Sequence, residues 1–282
     1  MYRSALLALV VVFSLTACRS DRADQDYAER MAVEHSGETP VATAGTAGAD
    51  TLDVDVMDVV YATVEGQEIS GYLAKPREAE GPVPGVIVIH EWWGLNDNIR
   101  AMTRKLAAEG YAALAVDLYR GRVAENPSDA RTYMGEAMEN AEASRENLRQ
   151  AHNFLSDEYG APRVGSIGWC FGGGWSLQSA LAMPDELDVT VIYYGRLVTD
   201  SEALASIEAP IIGFFGAEDD GIPVEQVRTF ERALNDLGKD VEVHVYGGAD
   251  HAFANPSGER YNEEAAADSW QRTVAFLAEH LK

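Results

Sequence analysis

Ten residues, Gly165-Ser166-Ile167-Gly168-Trp169-Cys170-Phe171-Gly172-Gly173-Gly174, constrain this chain more tightly than any other stretch. Gly168 and Gly172 stand two positions either side of Cys170, a G-x-Cys-x-G spacing. That spacing suits a sharp strand-to-helix turn, because residues without a Cβ let the two backbones pass closely while the central side chain is held out in a strained conformation. The flanks supply the context the turn needs. Arg163 to Gly168 reads as a short buried strand and Trp175 to Ala182 as a helix. Cys170 is therefore a candidate nucleophile at an elbow, the alternative being a buried structural cysteine beside packing glycines.

The rest of the folded part agrees with such a turn. Val59 to Val64 and Glu68 to Ala74, joined by Glu65-Gly66-Gln67, read as a β-hairpin. Gly85 to His90, Ala112 to Val116, Val189 to Tyr194, Pro210 to Phe215 and Val241 to Tyr246 supply further strands, several of them continuous apolar runs of the kind covered on both faces. Helical patterns lie between them at Asn98 to Glu109, Asp129 to Glu158, Gly173 to Ala182, Val224 to Leu237 and Glu263 to His280. Strand and helix alternate after an antiparallel start, which predicts an α/β domain with a mostly parallel central sheet flanked by helices on both faces. Ligands in such sheets bind at the carboxyl ends of the strands.

Cys170, Asp219 and His251 all follow strands, and their chain order of nucleophile, acid and histidine is that of the α/β-hydrolase fold. A thiol attacks acyl carbon as thiolate, so an imidazole must take its proton and an acid must orient the imidazole. His251 sits in the glycine-rich loop after a late strand, whereas His35 lies in a polar stretch, His152 and His280 in helical patterns and His244 inside a strand. Asp219 is preferred to Asp220 as the orienting acid, although either carboxylate could face inward. The backbone N–H groups of Phe171 and Trp92 are the candidate oxyanion donors, and Trp92 and Trp93 either wall the pocket or pack in the core.

His90-Glu91-Trp92-Trp93-Gly94, Asp117-Leu118-Tyr119, Gly168-Trp169-Cys170-Phe171-Gly172-Gly173, Gly216-Ala217-Glu218-Asp219 and His251-Ala252-Phe253-Ala254 together resemble the dienelactone hydrolase family. The resemblance implies a triad of Cys170, His251 and Asp219, with Glu91 close to the thiol and governing its ionisation. It implies hydrolysis of an ester or lactone through a cysteine acyl-enzyme, with no metal and no organic cofactor. Broad-specificity carboxylesterase action is the alternative within that chemistry, and a non-catalytic envelope lipoprotein is the alternative outside it. Dienelactone-cleaving members hold the substrate carboxylate with arginines, one of them four residues after the catalytic histidine, where this chain has Asn255. A second would fall at Gly121, flanked by Arg120 and Arg122, so Trp93, Tyr119, Arg120, Arg122 and Asn255 are the candidate substrate-binding residues.

Residues 1–17 read as an export signal: Arg3 precedes an apolar run from Ala5 to Leu15, too short for a permanent membrane helix. Leu15-Thr16-Ala17-Cys18 resembles a lipobox, which would make Cys18 a lipidated first residue and anchor the protein in the cell envelope, at the outer membrane or the periplasmic face. Residues 18–50 then read as a flexible acidic tether and residues 51–282 as one folded domain. Cys18 and Cys170 are the only cysteines, so a lipidated Cys18 leaves Cys170 a lone thiol. The net charge of −24 disfavours nucleic acid and anionic headgroups as partners, so the membrane link is expected to be the lipid.

Overall fold

Strands covered on both faces have no side for polar residues, so the apolar runs of this chain become the interior of one sheet. In a computed structural model, which describes residues 27–39, 49–79 and 81–282, five strands are buried along their whole length. These are Gly85–Ile89 (β3), Ala112–Val116 (β4), Val164–Trp169 (β5), Val189–Tyr193 (β6) and Ile211–Gly216 (β7). Val54–Val64 (β1) and Gln67–Pro76 (β2) form the antiparallel start, and Val241–Tyr246 (β8) lies at the far edge. The eight strands run in the order β1-β2-β4-β3-β5-β6-β7-β8. β2 is antiparallel to β1 and to β4, and the other pairings are parallel.

The helices are Asp97–Ala108 (α1), Pro127–Glu139 (α2), Ala141–Asn153 (α3), Phe171–Ala182 (α4), Ser201–Leu204 (α5), Val224–Asp236 (α6) and Glu263–Leu281 (α7). α1 starts where the Asn96 side chain accepts the Ile99 N–H at 3.2 Å, a cap worth about 1 kcal/mol. The single helix expected from Asp129 to Glu158 is instead broken. Asn140 separates α2 from α3, its Nδ2 donating to the Glu136 carbonyl at 2.9 Å, because a short amide side chain competes with the backbone for helical hydrogen bonds. Beyond α3, Phe154–Glu158 widens into a π turn.

β1 begins five residues earlier than the hairpin pattern predicts and carries a register shift between Val60 and Ala62. Tyr61, at the shift, turns into the core, where its hydroxyl donates to Asn147 Oδ1 at 2.6 Å and accepts the Asp117 N–H at 3.0 Å. Val56, Met57 and Val60 are left exposed on the outer strand.

The expected tether departs from the structure within the described residues. Residues 27–34 are helical, and Tyr27, Met31 and His35, spaced four apart on one face, are buried against the domain. Ion pairs fix the other side: Glu34 and Glu38 with Arg260 at 2.6 and 2.9 Å, and Glu29 with Arg131 at 3.2 Å. The expected signal, the lipobox and Cys18 lie outside the described residues. Among the described residues no helix is long and apolar enough to cross a membrane.

Candidate active site

The elbow is built by close packing at the end of β5. A Cβ on Gly168 would collide with the Gly172 carbonyl, and one on Gly172 would meet the Ile89 carbonyl, so no larger residue fits at either position. Cys170 between them takes φ +55° and ψ −116°, a conformation costing a non-glycine residue about 1–3 kcal/mol. It is anchored by its own N–H donating to the Tyr193 carbonyl at 3.0 Å. Phe171 opens α4, so its N–H belongs to the first turn, whose donors have no partner within a helix and whose dipole favours negative charge.

Two loops bring the partners of this sulfur. After β7, Asp219 turns inward while Asp220 is exposed; Asp219 Oδ1 accepts the Ile222 N–H at 2.8 Å and its Oδ2 meets His251 Nδ1 at 2.8 Å. After β8, His251 is completely buried. A second imidazole arrives from the N-terminal segment. One nitrogen of His35, one of His251 and the Cys170 sulfur lie within 4.8 Å of one another. Each histidine spends Nδ1 elsewhere, so Nε2 is the atom it presents to sulfur, and neither Nε2 has another hydrogen-bond partner. This Cys-His-His set is also the group of described residues able to hold a thiophilic metal ion.

Burial opposes ionisation of Cys170, but the charge of His251 and the polar contacts of both imidazoles outweigh it and bring the thiol down to about 6. Burial likewise disfavours charge on His251, yet the thiolate and Asp219 hold its pKa well above the ordinary value. Asp219 is lowered against its burial by the same imidazolium. Glu91 goes the other way: burial first, then the neighbouring thiolate, push its carboxyl up to about 8. Thiolate and neutral Glu91 therefore coexist near neutrality.

Glu91 Oε2 accepts from Asn255 Nδ2 at 2.7 Å and from Asn98 Nδ2 at 3.5 Å. Asn255 is tied further, its Oδ1 accepting from the Ser257 N–H at 2.8 Å and from Ser257 Oγ at 2.6 Å. Its amide positions Glu91. The loop carrying Glu91 and Trp92 is held by His90, whose Nδ1 donates to the Glu91 carbonyl at 2.6 Å while its Nε2 accepts the Leu118 N–H at 3.2 Å. Those two bonds require the neutral ring, which burial favours by lowering its pKa.

A cavity of about 100 Å³ opens onto Cys170, walled by His35, Glu91, Trp92, Trp93, Asn255 and Arg260 among others. Tyr119 lies deeper, its ring 5.4 Å from that of Phe171. Arg120 and Arg122 do not reach this cavity. Asp117 accepts the backbone N–H groups of Tyr119 and Gly121, closing a tight turn in which Arg120 takes φ +56°. The turn sends Arg120 to Glu65 at 2.6 Å and Arg122 to Glu136, beside a different hollow. A larger hollow, about 330 Å³, lies beyond Tyr27 and Phe171 and does not touch the sulfur.

The signature of the dienelactone hydrolase family matches residues 69–281. This chain belongs to the dienelactone hydrolase family. Curated relatives include the usf protein of Aquifex pyrophilus, 36% identical over 223 residues, which cover 77% of this chain and 95% of that one. A Saccharolobus solfataricus protein named as a candidate carboxymethylenebutenolidase is 34% identical over 255 residues, 77% of this chain and 96% of its own. Among solved structures, a candidate dienelactone hydrolase from Klebsiella pneumoniae superposes with a TM-score of 0.72 at 30% identity, covering 80% of this chain and 99% of its own. The family and the fold agree, and the chain is a hydrolase of the dienelactone hydrolase type.

Proposed function

We propose that the protein hydrolyses small esters or lactones through a thioester on Cys170. The observation that carries this reading is a thiol at a strained elbow facing an imidazole that a buried carboxylate orients. Cys170 transfers its proton to His251 Nε2, and Asp219 offsets the charge this creates. The thiolate adds to the acyl carbon, moving the carbonyl electron pair onto oxygen, where the N–H groups of Phe171 and Trp92 receive it. Collapse breaks the acyl C–O bond, and the leaving alkoxide takes the proton from His251. Water, deprotonated by the same nitrogen, then cleaves the thioester and restores the thiol. No step calls on a metal or an organic cofactor.

The narrow cavity over Cys170, about 100 Å³, suits small acyl groups. Asn255, engaged with Glu91, offers no guanidinium for a substrate carboxylate, and Arg260 on the cavity wall is already paired with Glu34 and Glu38, so neutral esters and lactones should be turned over at least as well as anionic ones. That preference favours a small-ester carboxylesterase over a strict dienelactonase. On the lipobox we further propose a lipid-anchored envelope location, which mass spectrometry of Cys18 in the native protein would test: an unmodified cysteine on a freely soluble mature chain would rule it out. The catalytic reading is tested by incubating the protein with a slow aryl ester and mapping the acyl adduct. An adduct on Cys170 is expected. Full esterase activity in Cys170→Ala would overturn it.

A further inference from the structure

Two carboxylate-imidazole pairs converge on one sulfur. Asp219 and His251 come from loops after β7 and β8, whereas His35 and Glu38 come from the N-terminal segment, with His35 Nδ1 2.7 Å from Glu38 Oε2. Arg260 joins the second pair, its Nη2 lying 2.9 Å from His35 Nδ1 and 2.9 Å from Glu38 Oε1. His35 is 3% exposed, its ring lies 4.4 Å from that of Trp92 and 5.4 Å from that of His251, and its Nε2 is satisfied by no other group. A histidine serving only as packing would leave that nitrogen as an uncompensated buried polar atom.

We infer that His35 is a second catalytic imidazole, donating its Nε2 N–H to the Cys170 sulfur and holding it as thiolate while His251 handles the substrate's proton. The protonation state follows from its partners. The Glu38 carboxylate, 2.7 Å away, accepts from Nδ1–H, so the ring that also donates from Nε2 to sulfur is the protonated one, which, against burial, the sulfur and Glu38 both favour. His35 gives up no proton during turnover. When sulfur becomes a thioester its negative charge is gone and the contact weakens, so the donor stabilises the nucleophile and not the acyl-enzyme. In company with His35 and His251, Cys170 faces the Glu91 carboxyl and the phenols of Tyr27, Tyr119 and Tyr194, all of which carry raised pKa values for burial first and this sulfur's charge among the further causes. Arg196 lies over the Tyr27 ring on the same side.

This inference rests on Cys170 being the nucleophile but is read without ester turnover, by the rate of iodoacetamide labelling of Cys170 against pH in the full chain. Wild type should reach half its maximal rate near pH 6. His35→Ala should move that inflection up by about one unit, with labelling roughly tenfold slower below it. His35→Gln retains an N–H donor without the charge and should fall between the two. Glu38→Gln should shift the profile in the same direction and by less. A His35→Ala profile superimposed on the wild type, in protein with an unchanged circular dichroism spectrum, would overturn the inference. So would a His35→Gln profile no nearer wild type than that of His35→Ala. If Cys170→Ala instead keeps its esterase activity, the acyl-enzyme reading fails and the catalytic role of His35 with it, while the labelling profiles still decide whether His35 holds the sulfur as thiolate.

Discussion

The two imidazoles around Cys170 are mounted on very different supports. His251 and Asp219 stand on the loops after β8 and β7, strands paired with each other at the edge of the sheet, and both side chains are shut away from solvent. His35 and Glu38 stand on a short segment held to the domain by the buried side chains of Tyr27, Ala28, Met31 and His35 and by ion pairs with Arg131 and Arg260, the first of them well exposed. The exposed Glu29–Arg131 pair contributes about 0–1 kcal/mol, while the Arg260 pairs and the side chains of Tyr27 and Met31 are largely buried, so the segment is held by side chains and not by a backbone ladder to the sheet. Proton transfer to and from substrate belongs on the rigid support. Tuning of the sulfur can be left to the looser one.

The largest expected effect tests what both supports serve. Cys170→Ala should lower kcat/KM for a neutral aryl ester by about 10⁴-fold or more while leaving the fold intact, as seen by circular dichroism. Next, the two imidazoles should separate in kcat/KM: His251→Ala should cost about 10³-fold or more at pH 7, and His35→Ala only about twofold at pH 7, growing to about tenfold below pH 6. Equal losses would erase the division between the supports.

The pH profile gives a finer comparison. Activity should rise as the thiolate forms through about pH 6 and fall as Glu91 ionises near pH 8, because a carboxylate beside the thiolate repels it. Glu91→Gln should remove the upper limb and keep the lower one. The smallest effect concerns the support itself. Arg260→Ala should speed amide hydrogen exchange across residues 27–39 specifically while leaving exchange in the sheet unchanged. Unchanged exchange there would mean that burial of Tyr27 and Met31 alone holds the segment.

What was legible in the sequence tracks how local the determinant is. β3 to β7 announce themselves as apolar runs because both faces are covered, and the elbow announces itself because only glycine fits beside Cys170. The place of Asp219 after Gly216 points to it over Asp220, and it is the buried one. The start of β1 was missed because Asp55 and Asp58 interrupt its apolar residues, as an outer strand with a solvated face permits. Arg120 and Arg122 were misplaced because the turn organised by Asp117 is a tertiary arrangement, and two guanidiniums one residue from a motif position carry no sign of which way they point. His35 carries no local sign of its place, because its neighbours in the sequence are polar. The Tyr27, Met31, His35 spacing was the available signal, and it is too short to stand out without the surface it packs against.

Beyond the site, the shifted register at Tyr61 bears on how the protein behaves in a crowd. β1 ends the sheet and presents an unpaired row of backbone donors and acceptors beside exposed Val56, Met57 and Val60, a template on which a second copy could add a strand. The irregularity bends that row, and a chain of net charge −24 repels its own kind as it approaches. Straightening the strand by deleting one residue at the irregularity would withdraw Tyr61 from Asn147 and flatten the edge together. The same side chain thus ties the outer strand to the core and keeps its free edge from lying flat.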